Sequence, residues 1–343
     1  MTYITISAFT DFAHEIGSDI KLVQGAGGNI SFKNGNNFWV KASGTWLSEA
    51  RHRKIFIKLE LSKVLSAFVN KNSDFTSIAY NHSLLQPSIE TYFHAIISQN
   101  IVVHVHSLNS IFWGVQLDGK AKVAERLEGL SWEWVDYIKP GLPLAQAIRT
   151  KLLIRPNIDV FLLANHGLII SADSIPKARD LLVEVEKRLL SPSLSKLPIN
   201  TTKITALANM YLGETRLPNN PDIHLLAQNK HVLNLLTAGS LFPDQVVFLG
   251  PSISILQQDK IHLLSDLLLA TPHCSIIPDI GVILGNSCSV STELLLEFIL
   301  HLTYNLPKKN HLRFLNPIEI SELLNWDAEK VRQAADKIHA AQR

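Results

Sequence analysis

His104 and His106 stand one residue apart at the end of the apolar run Ile101-Val102-Val103-His104-Val105-His106. His166 closes a second run, Val160-Phe161-Leu162-Leu163-Ala164-Asn165-His166-Gly167. In an extended chain residues i and i+2 point to one face, so the first two imidazoles lie side by side. A tetrahedral or five-coordinate divalent metal accepts that spacing from a strand. Gly167 directly after His166 predicts a turn at a sheet edge, where a third imidazole can emerge as a ligand. Three neutral imidazoles leave at least one coordination position open, which suits chemistry rather than a structural clip. Taken singly, each feature also fits a half-exposed polar strand face. Their combination with a nearby carboxylate favours a metal.

That carboxylate is Glu90, in Pro87-Ser88-Ile89-Glu90-Thr91-Tyr92-Phe93-His94-Ala95-Ile96-Ile97. Proline near the start and an amphipathic run after it predict a helix with Glu90 in its first turn. An acid is favoured there by the helix dipole whatever its function. Beside a metal it would act as general base, poised by the cation and by partial burial. His94 lies one helical turn on, on the same face. It is expected to pack behind the ligands, because a fourth imidazole would close the site.

Two loops could face these groups. Gln24-Gly25-Ala26-Gly27-Gly28-Asn29-Ile30-Ser31 and Lys41-Ala42-Ser43-Gly44-Thr45 place glycine backbone beside small polar side chains, which can offer N–H groups to an oxyanion. Either is also what a hairpin between strands requires. The first run lacks the strand, GxGxxG turn, helix and distant acid of a dinucleotide site.

The elements that must position these residues can be read coarsely. A helix is expected over Ser7–Ile20, strands over Asn29–Ser31, Asn37–Ala42 and Ile55–Leu59, and a helix over Ser62–Val69. Asn70–Gln86 reads as a loop. After the Glu90 helix come the strand with His104, helices about Lys120–Arg126 and Leu142–Leu153, the strand before His166, and a helix over Ile175–Leu190. This order predicts an α/β (α+β) sandwich, with helices flanking a mostly antiparallel sheet. The proline- and serine-bearing stretch Ser191–Pro198 marks a boundary. It separates a domain of residues 1–192 from a smaller α/β domain of residues 200–343. Beyond it helices are expected at Ile204–Leu212 and Ile223–Leu236, and strands at Gln245–Leu249, Ser252–Leu256 and Ser275–Ile277.

The second domain echoes the first. Ser275-Ile276-Ile277-Pro278-Asp279-Ile280-Gly281-Val282-Ile283-Leu284 has the pattern of Phe161–Ile170, and Val246-Val247-Phe248-Leu249 that of Val102–Val105. A degenerate copy is one reading, with Phe248, Gly250 and Ile280 in place of the ligands; ordinary strand-turn similarity is the other.

QGAGGNIS, KASGTWL, PSIETYFHA, VVHVHS and FLLANHGLI occur in the order and approximate spacing of class II aldolase/adducin domains, and residues 7 to 190 resemble L-fuculose-phosphate and L-rhamnulose-phosphate aldolases. Phe242–Pro251 and Glu322–Lys330 resemble later parts of the aldolase half of bifunctional rhamnulose-phosphate aldolase/alcohol dehydrogenases, without the dehydrogenase half. The resemblance implies a class II aldolase-like three-layer sandwich and a metal-dependent aldehyde-lyase acting on a ketose or ketose 1-phosphate. His104, His106 and His166 would hold Zn²⁺, or another divalent ion such as Mn²⁺ or Co²⁺. Glu90 would move the proton, while Gly28, Asn29, Ser43, Gly44 and Ser88 would bind substrate or phosphate. Two hydroxyl residues of phosphate-using members are replaced here, by Ala26 and Ile89, which puts phosphate recognition in question. Related proteins use the same framework for pentulose-phosphate 4-epimerisation, sugar-acid-phosphate decarboxylation or dehydration, and the adducin branch is a non-catalytic interaction module without the histidine triad. Some relatives use a tyrosine acid from a neighbouring subunit, for which Tyr137 lies in the right stretch.

Composition narrows the partners. The chain has 343 residues, 46% hydrophobic and 18% charged, enough for one large core or two modest ones. A net charge of +2 gives no case for nucleic acid or membrane attraction. A positive mean hydropathy suggests apolar surface buried between subunits, and the resembled family commonly forms tetramers, so a homo-oligomer (tetramer or dimer) is expected. Lys41, Lys139 and Arg149 could meet a phosphate but read as solvated surface charges. Cys274 and Cys288 read as reduced core residues. Neither a signal peptide nor a membrane span is evident, so a cytoplasmic enzyme is expected.

Overall fold

The computed structural model describes residues 5–71, 85–194, 198–199, 201–210, 215–264, 266, 274–327, 329–330 and 332–335. Most of the expected Asn70–Gln86 loop lies outside them.

Seven strands form the principal sheet: β1 (Asn29–Asn34), β2 (Asn37–Lys41), β3 (Phe56–Glu60), β4 (Ile101–Val105), β5 (Trp132–Val135), β6 (Val160–Leu163) and β7 (Gly167–Ala172). Their order is β3-β2-β1-β4-β7-β6-β5, and every pair is antiparallel except β5–β6. β4 therefore lies in the centre, between β1 and β7, and its five residues are all buried. A strand covered on both faces reads as a continuous apolar run, which is what Ile101–Val105 shows apart from His104.

The pleat divides β4 between two cores. Ile101, Val103 and Val105 join a cluster with Phe9, Phe12, Ile111 and Leu182. Val102 joins the opposite cluster, with Phe93, Phe161 and Leu163. By the period of two, His104 shares the Val102 side, under the helix Thr91–Ile96. On the same side lies the helix Leu142–Ile154, and on the other the helices Ile6–Gly17 and Ile175–Arg188.

A smaller sheet, in the order β8-β11-β10-β9, contains β8 (Thr215–Arg216), β9 (Ser254–Ile255), β10 (Cys274–Ile277) and β11 (Gly281–Gly285). The first hydrophobic cluster continues from the large sheet into this half through Leu226, Phe242, Val247, Ile276 and Leu296. Cys274 and Cys288 are buried within it and form no disulfide.

The segment expected as a strand at Gln245–Leu249 is a helix, Pro243–Leu249. Pro243 suits a first helical turn, where a missing N–H costs nothing. All seven residues are buried, so no polar face reveals the helical period, and the two valines imitate a strand. The proposed counterpart of the His104 strand is therefore absent at Val246–Leu249. The two halves share a hairpin, β6–β7 and β10–β11, rather than a strand order. The run expected as one helix over Ile223–Leu236 is broken into Pro221–His224, Leu225–Gln228 and Lys230–Ala238. Among the described residues no single helix is long and apolar enough to cross a membrane.

Candidate metal centre

His104 is the last residue but one of β4, and His106 follows just beyond the strand on the same side. His166 occupies the turn between β6 and β7, whose antiparallel pairing with β4 carries it alongside. Gly167 makes the approach close: a Cβ there would run into the carbonyl oxygen of Val105. Asn165 takes a left-handed conformation (φ 54°), which asparagine tolerates better than most residues. One ligand atom from each of His104, His106 and His166 lies within 4.8 Å of the others. All three rings are buried.

The hydrogen bonds decide which nitrogens face inward. His104 Nδ1 lies 3.0 Å from the Leu168 carbonyl oxygen, which can only accept, so Nδ1 carries the proton. His106 Nδ1 lies 2.8 Å from Asp244 Oδ2 and likewise donates. Both Nε2 atoms are then bare acceptors, yet they stand 3.2 Å apart. Two lone pairs at that distance repel unless a cation lies between them. The donor set, three imidazoles with a carboxylate, suits Zn²⁺ or a related divalent ion. An imidazole ligand whose other nitrogen is fixed by a carboxylate is the usual way a protein orients such a ring.

Glu90 immediately precedes the helix Thr91–Ile96, and its side chain makes no capping hydrogen bond. Its Oε1 instead lies 3.3 Å from His104 Nε2 and 3.6 Å from His166 Nε2. Burial would raise its carboxyl, but positive charge at His104, then at His166 and His106, holds it well below the usual carboxylate range, and a cation among neutral rings would supply charge of the same sign. Burial, followed by His104, pushes the His166 imidazole well below its ordinary value, which keeps the ring neutral as a ligand must be. His94 packs behind, stacked on Phe93 with Nδ1 2.9 Å from Ser31 Oγ. Burial likewise drives it well below its ordinary value.

A cavity of about 20 Å³ opens on this centre, lined by Gly28, Ser43, Gly44, Ser88, Glu90, His106 and His166 among others. Asn29 is not on its wall. It is buried opposite His104 in the β1–β4 register, and its amide has no partner among the described residues. Ala26 and Ile89 line the cavity and offer no hydroxyl.

One correction and three additions concern charged residues. Lys41 is buried rather than solvated, lines the cavity, and donates to the carbonyls of Ala26 (3.0 Å) and Thr45 (2.6 Å). Burial pulls its ammonium down to about 7. Asp244, in the first turn of Pro243–Leu249, had no role in the sequence reading and proves to orient His106. Arg332 donates to Asp244 Oδ1 (3.0 Å) and to both oxygens of Glu329 (2.8 and 3.1 Å), and both Arg332 and Glu329 line the cavity. Burial would raise the Asp244 carboxyl, but Arg332 and then His106 keep it well below the usual range. Gly27 lets the backbone meet this pair, since a Cβ there would lie 2.9 Å from Asp244 Oδ2 and 3.0 Å from His106 Nδ1. Arg149 is exposed, and Lys139 lies over the Trp326 ring. Tyr137 stands under the Arg313 guanidinium.

Residues 10–189 match the family of the class II aldolase and adducin N-terminal domain. The match covers more than half of the chain, and the protein belongs to that family. Over 170 residues it is 29% identical to the uncharacterized oxidoreductase YuxG of Bacillus subtilis (strain 168), covering 45% of this chain and 24% of that protein. The chain thus spans about a quarter of the length of this curated relative. Similar solved structures include the N-terminal class II aldolase domain of a conserved protein from Thermoplasma acidophilum (24% identity, 55% of this chain and 94% of that one, TM-score 0.47). Another is the L-fuculose-1-phosphate aldolase from Thermus thermophilus (14% identity, 60% and 96%, TM-score 0.36).

Proposed function

We propose that the protein is a divalent-metal-dependent aldehyde-lyase that cleaves a ketose or ketose 1-phosphate into a dihydroxyacetone-type fragment and a small aldehyde. One observation carries this reading: three imidazole nitrogens and the Glu90 carboxylate converge on one point, with two of the tautomers fixed by Leu168 and Asp244. Family membership supports it.

His104, His106 and His166 would hold the ion, with Zn²⁺ the expected one. Bound there, it supplies Lewis-acid polarisation to the carbonyl and neighbouring hydroxyl oxygens of a ketose. Glu90 is placed to take the proton from the hydroxyl on the carbon that becomes the aldehyde, as the carbon–carbon bond breaks. The same carboxyl can return a proton to the carbon left behind. Burial excludes bulk water from that exchange. Ser43, Gly44, Ser88 and Gly28 would present polar groups and backbone to the distal end of the sugar, whereas Asn29 lies off the wall with its amide unbonded among the described residues. Residues 200–343 serve as the part that closes the site, through Asp244, Glu329 and Arg332.

The test is to purify the protein without chelators, measure bound metal, and screen ketose 1-phosphates and free ketoses for Zn²⁺-dependent cleavage. Stoichiometric metal, and stabilisation when Zn²⁺ is restored to stripped protein, are expected. His104→Ala should lose metal and keep its fold. Protein with no metal and no response to Zn²⁺ would overturn the reading.

A further inference from the structure

The cavity on this centre is small, about 20 Å³, and a ketose seated against the histidines displaces part of its wall. Most of that wall is sheet, turn and buried helix. Glu329 and Arg332 are added to it by a separate helical stretch that lies against the site. Trp326 rests on Gly141, Gln333 on the Val247 carbonyl, and Arg332 beside Gly44. Arg332 is joined on one edge to Asp244 and on the other to Glu329. These two partners are not equivalent. Asp244 is anchored in a buried helix and bonded to His106. Glu329 holds only Arg332 among the described residues, with its carboxyl pushed up to about 6 by burial, an effect that Arg332 opposes and Asp244 and Glu90 reinforce. Three acids thus crowd one cavity. Elsewhere on the wall Lys41, Ser43, Gly44 and Ser88 carry donors and no acid.

We propose that Arg332 is the specificity-determining residue of this site, receiving an oxyanion of the substrate, phosphate or carboxylate, on the guanidinium edge that Glu329 occupies in the resting chain. The inference rests on the reading of the cavity as a ketose site. A guanidinium fork matches either oxyanion. Its second edge stays on Asp244 during the exchange, so the group remains aimed while Glu329 withdraws. Ala26 and Ile89, also on the wall, offer no hydroxyl that could take over the task.

The test is calorimetry on Zn²⁺-loaded full-length protein with three probes: dihydroxyacetone phosphate, hydroxypyruvate and uncharged dihydroxyacetone. Metal content is measured for every variant. Wild-type protein should bind one of the two anions more tightly than dihydroxyacetone, and which one it prefers identifies the oxyanion. Arg332→Gln should weaken that anion about ten- to a hundredfold, the size of a lost charge-assisted hydrogen bond, while dihydroxyacetone changes by less than about twofold. Glu329→Gln, which removes the competing negative charge, loosens the hold on the guanidinium and leaves Asp244 in place, should tighten the anion. Equal binding of charged and uncharged probes, or anion binding indifferent to Arg332→Gln, overturns the proposal and leaves the ketose reading standing. Should Arg332→Gln shed its metal, Glu329→Gln decides alone, and unchanged or weaker anion binding in it overturns the proposal. Failure of all three probes at full Zn²⁺ occupancy removes the ketose reading, and the proposal with it.

Discussion

In the β6–β7 hairpin Leu163 pairs with Gly167 around Ala164-Asn165-His166; in the β10–β11 hairpin Ile277 pairs with Gly281 around Pro278-Asp279-Ile280. Both turns close with a backbone hydrogen bond, His166 N to Leu163 O (3.1 Å) and Ile280 N to Ile277 O (3.0 Å). Both place a residue other than glycine at positive φ, 54° at Asn165 and 61° at Asp279. The surroundings differ. Beside β7 runs β4, which brings His104 and His106, whereas beside β11 runs the two-residue β8. Ile280 accordingly packs into an aliphatic cluster with Ile204, Leu207 and Leu256. Asn165 donates to the carbonyls of Leu241 and Arg313, each at 2.8 Å, while Asp279 is exposed. A turn of this kind is a mount; the neighbouring strand and the segments tied to it decide whether chemistry is done there.

Making the first turn resemble the second should have the largest effect. His166→Ile is expected to reduce bound metal to background and abolish cleavage with the circular dichroism preserved, because Ile280 shows that the turn accepts isoleucine. Stoichiometric metal in that variant would break the comparison. Asp244→Asn removes a support that the second hairpin lacks altogether. It should weaken Zn²⁺ binding about ten- to a hundredfold in a chelator competition, and unchanged affinity would mean that His106 needs no orienting partner.

The converse change, Ile280→His, should confer no metal site. It places a polar ring among aliphatic side chains and should cost about 1–3 kcal/mol in urea unfolding; a gain of zinc would show that the mount suffices. The finest comparison pairs Asn165→Gly with Asp279→Gly, since both relieve the positive φ. Only the first gives up hydrogen bonds to buried carbonyls, so it should lose about 1–3 kcal/mol, while the second should stay within about 0.5 kcal/mol of the parent. Equal losses would mean that the Asn165 contacts contribute nothing.

The convergence of the three histidines was legible in the sequence because local rules place them. A period of two put His104 and His106 on one face, and Gly167 marked the turn at His166. The strands β1 to β3 and the helices around Glu90, Leu142 and Ile175 were legible by the same periodicities. Asp244 was not. An acid in a helix's first turn is sufficiently explained by the dipole, and only tertiary packing brings it to an imidazole 138 positions away. Glu329 and Arg332 escaped for the same reason, although Phe242–Pro251 and Glu322–Lys330 stood out by resemblance and could have been examined for charges facing the site. Lys41 was misread because an ammonium is ordinarily solvated, and nothing within β2 announces that the Ala26 and Thr45 carbonyls will take it in. Pro243–Leu249 was misread because complete burial erases amphipathic pattern.

The link between His106 and Asp244 bears on how the protein is made. Chains emerge from the ribosome amino end first, and domains fold largely as units. When the large sheet has been synthesised, residue 244 is still to come, and His106 is free to rotate or to present its other nitrogen. On the metal-binding reading, a nascent chain at that stage would hold an ion more loosely and less selectively. Arrival of Asp244 would set the ring, so selective capture would wait for the segment that carries it.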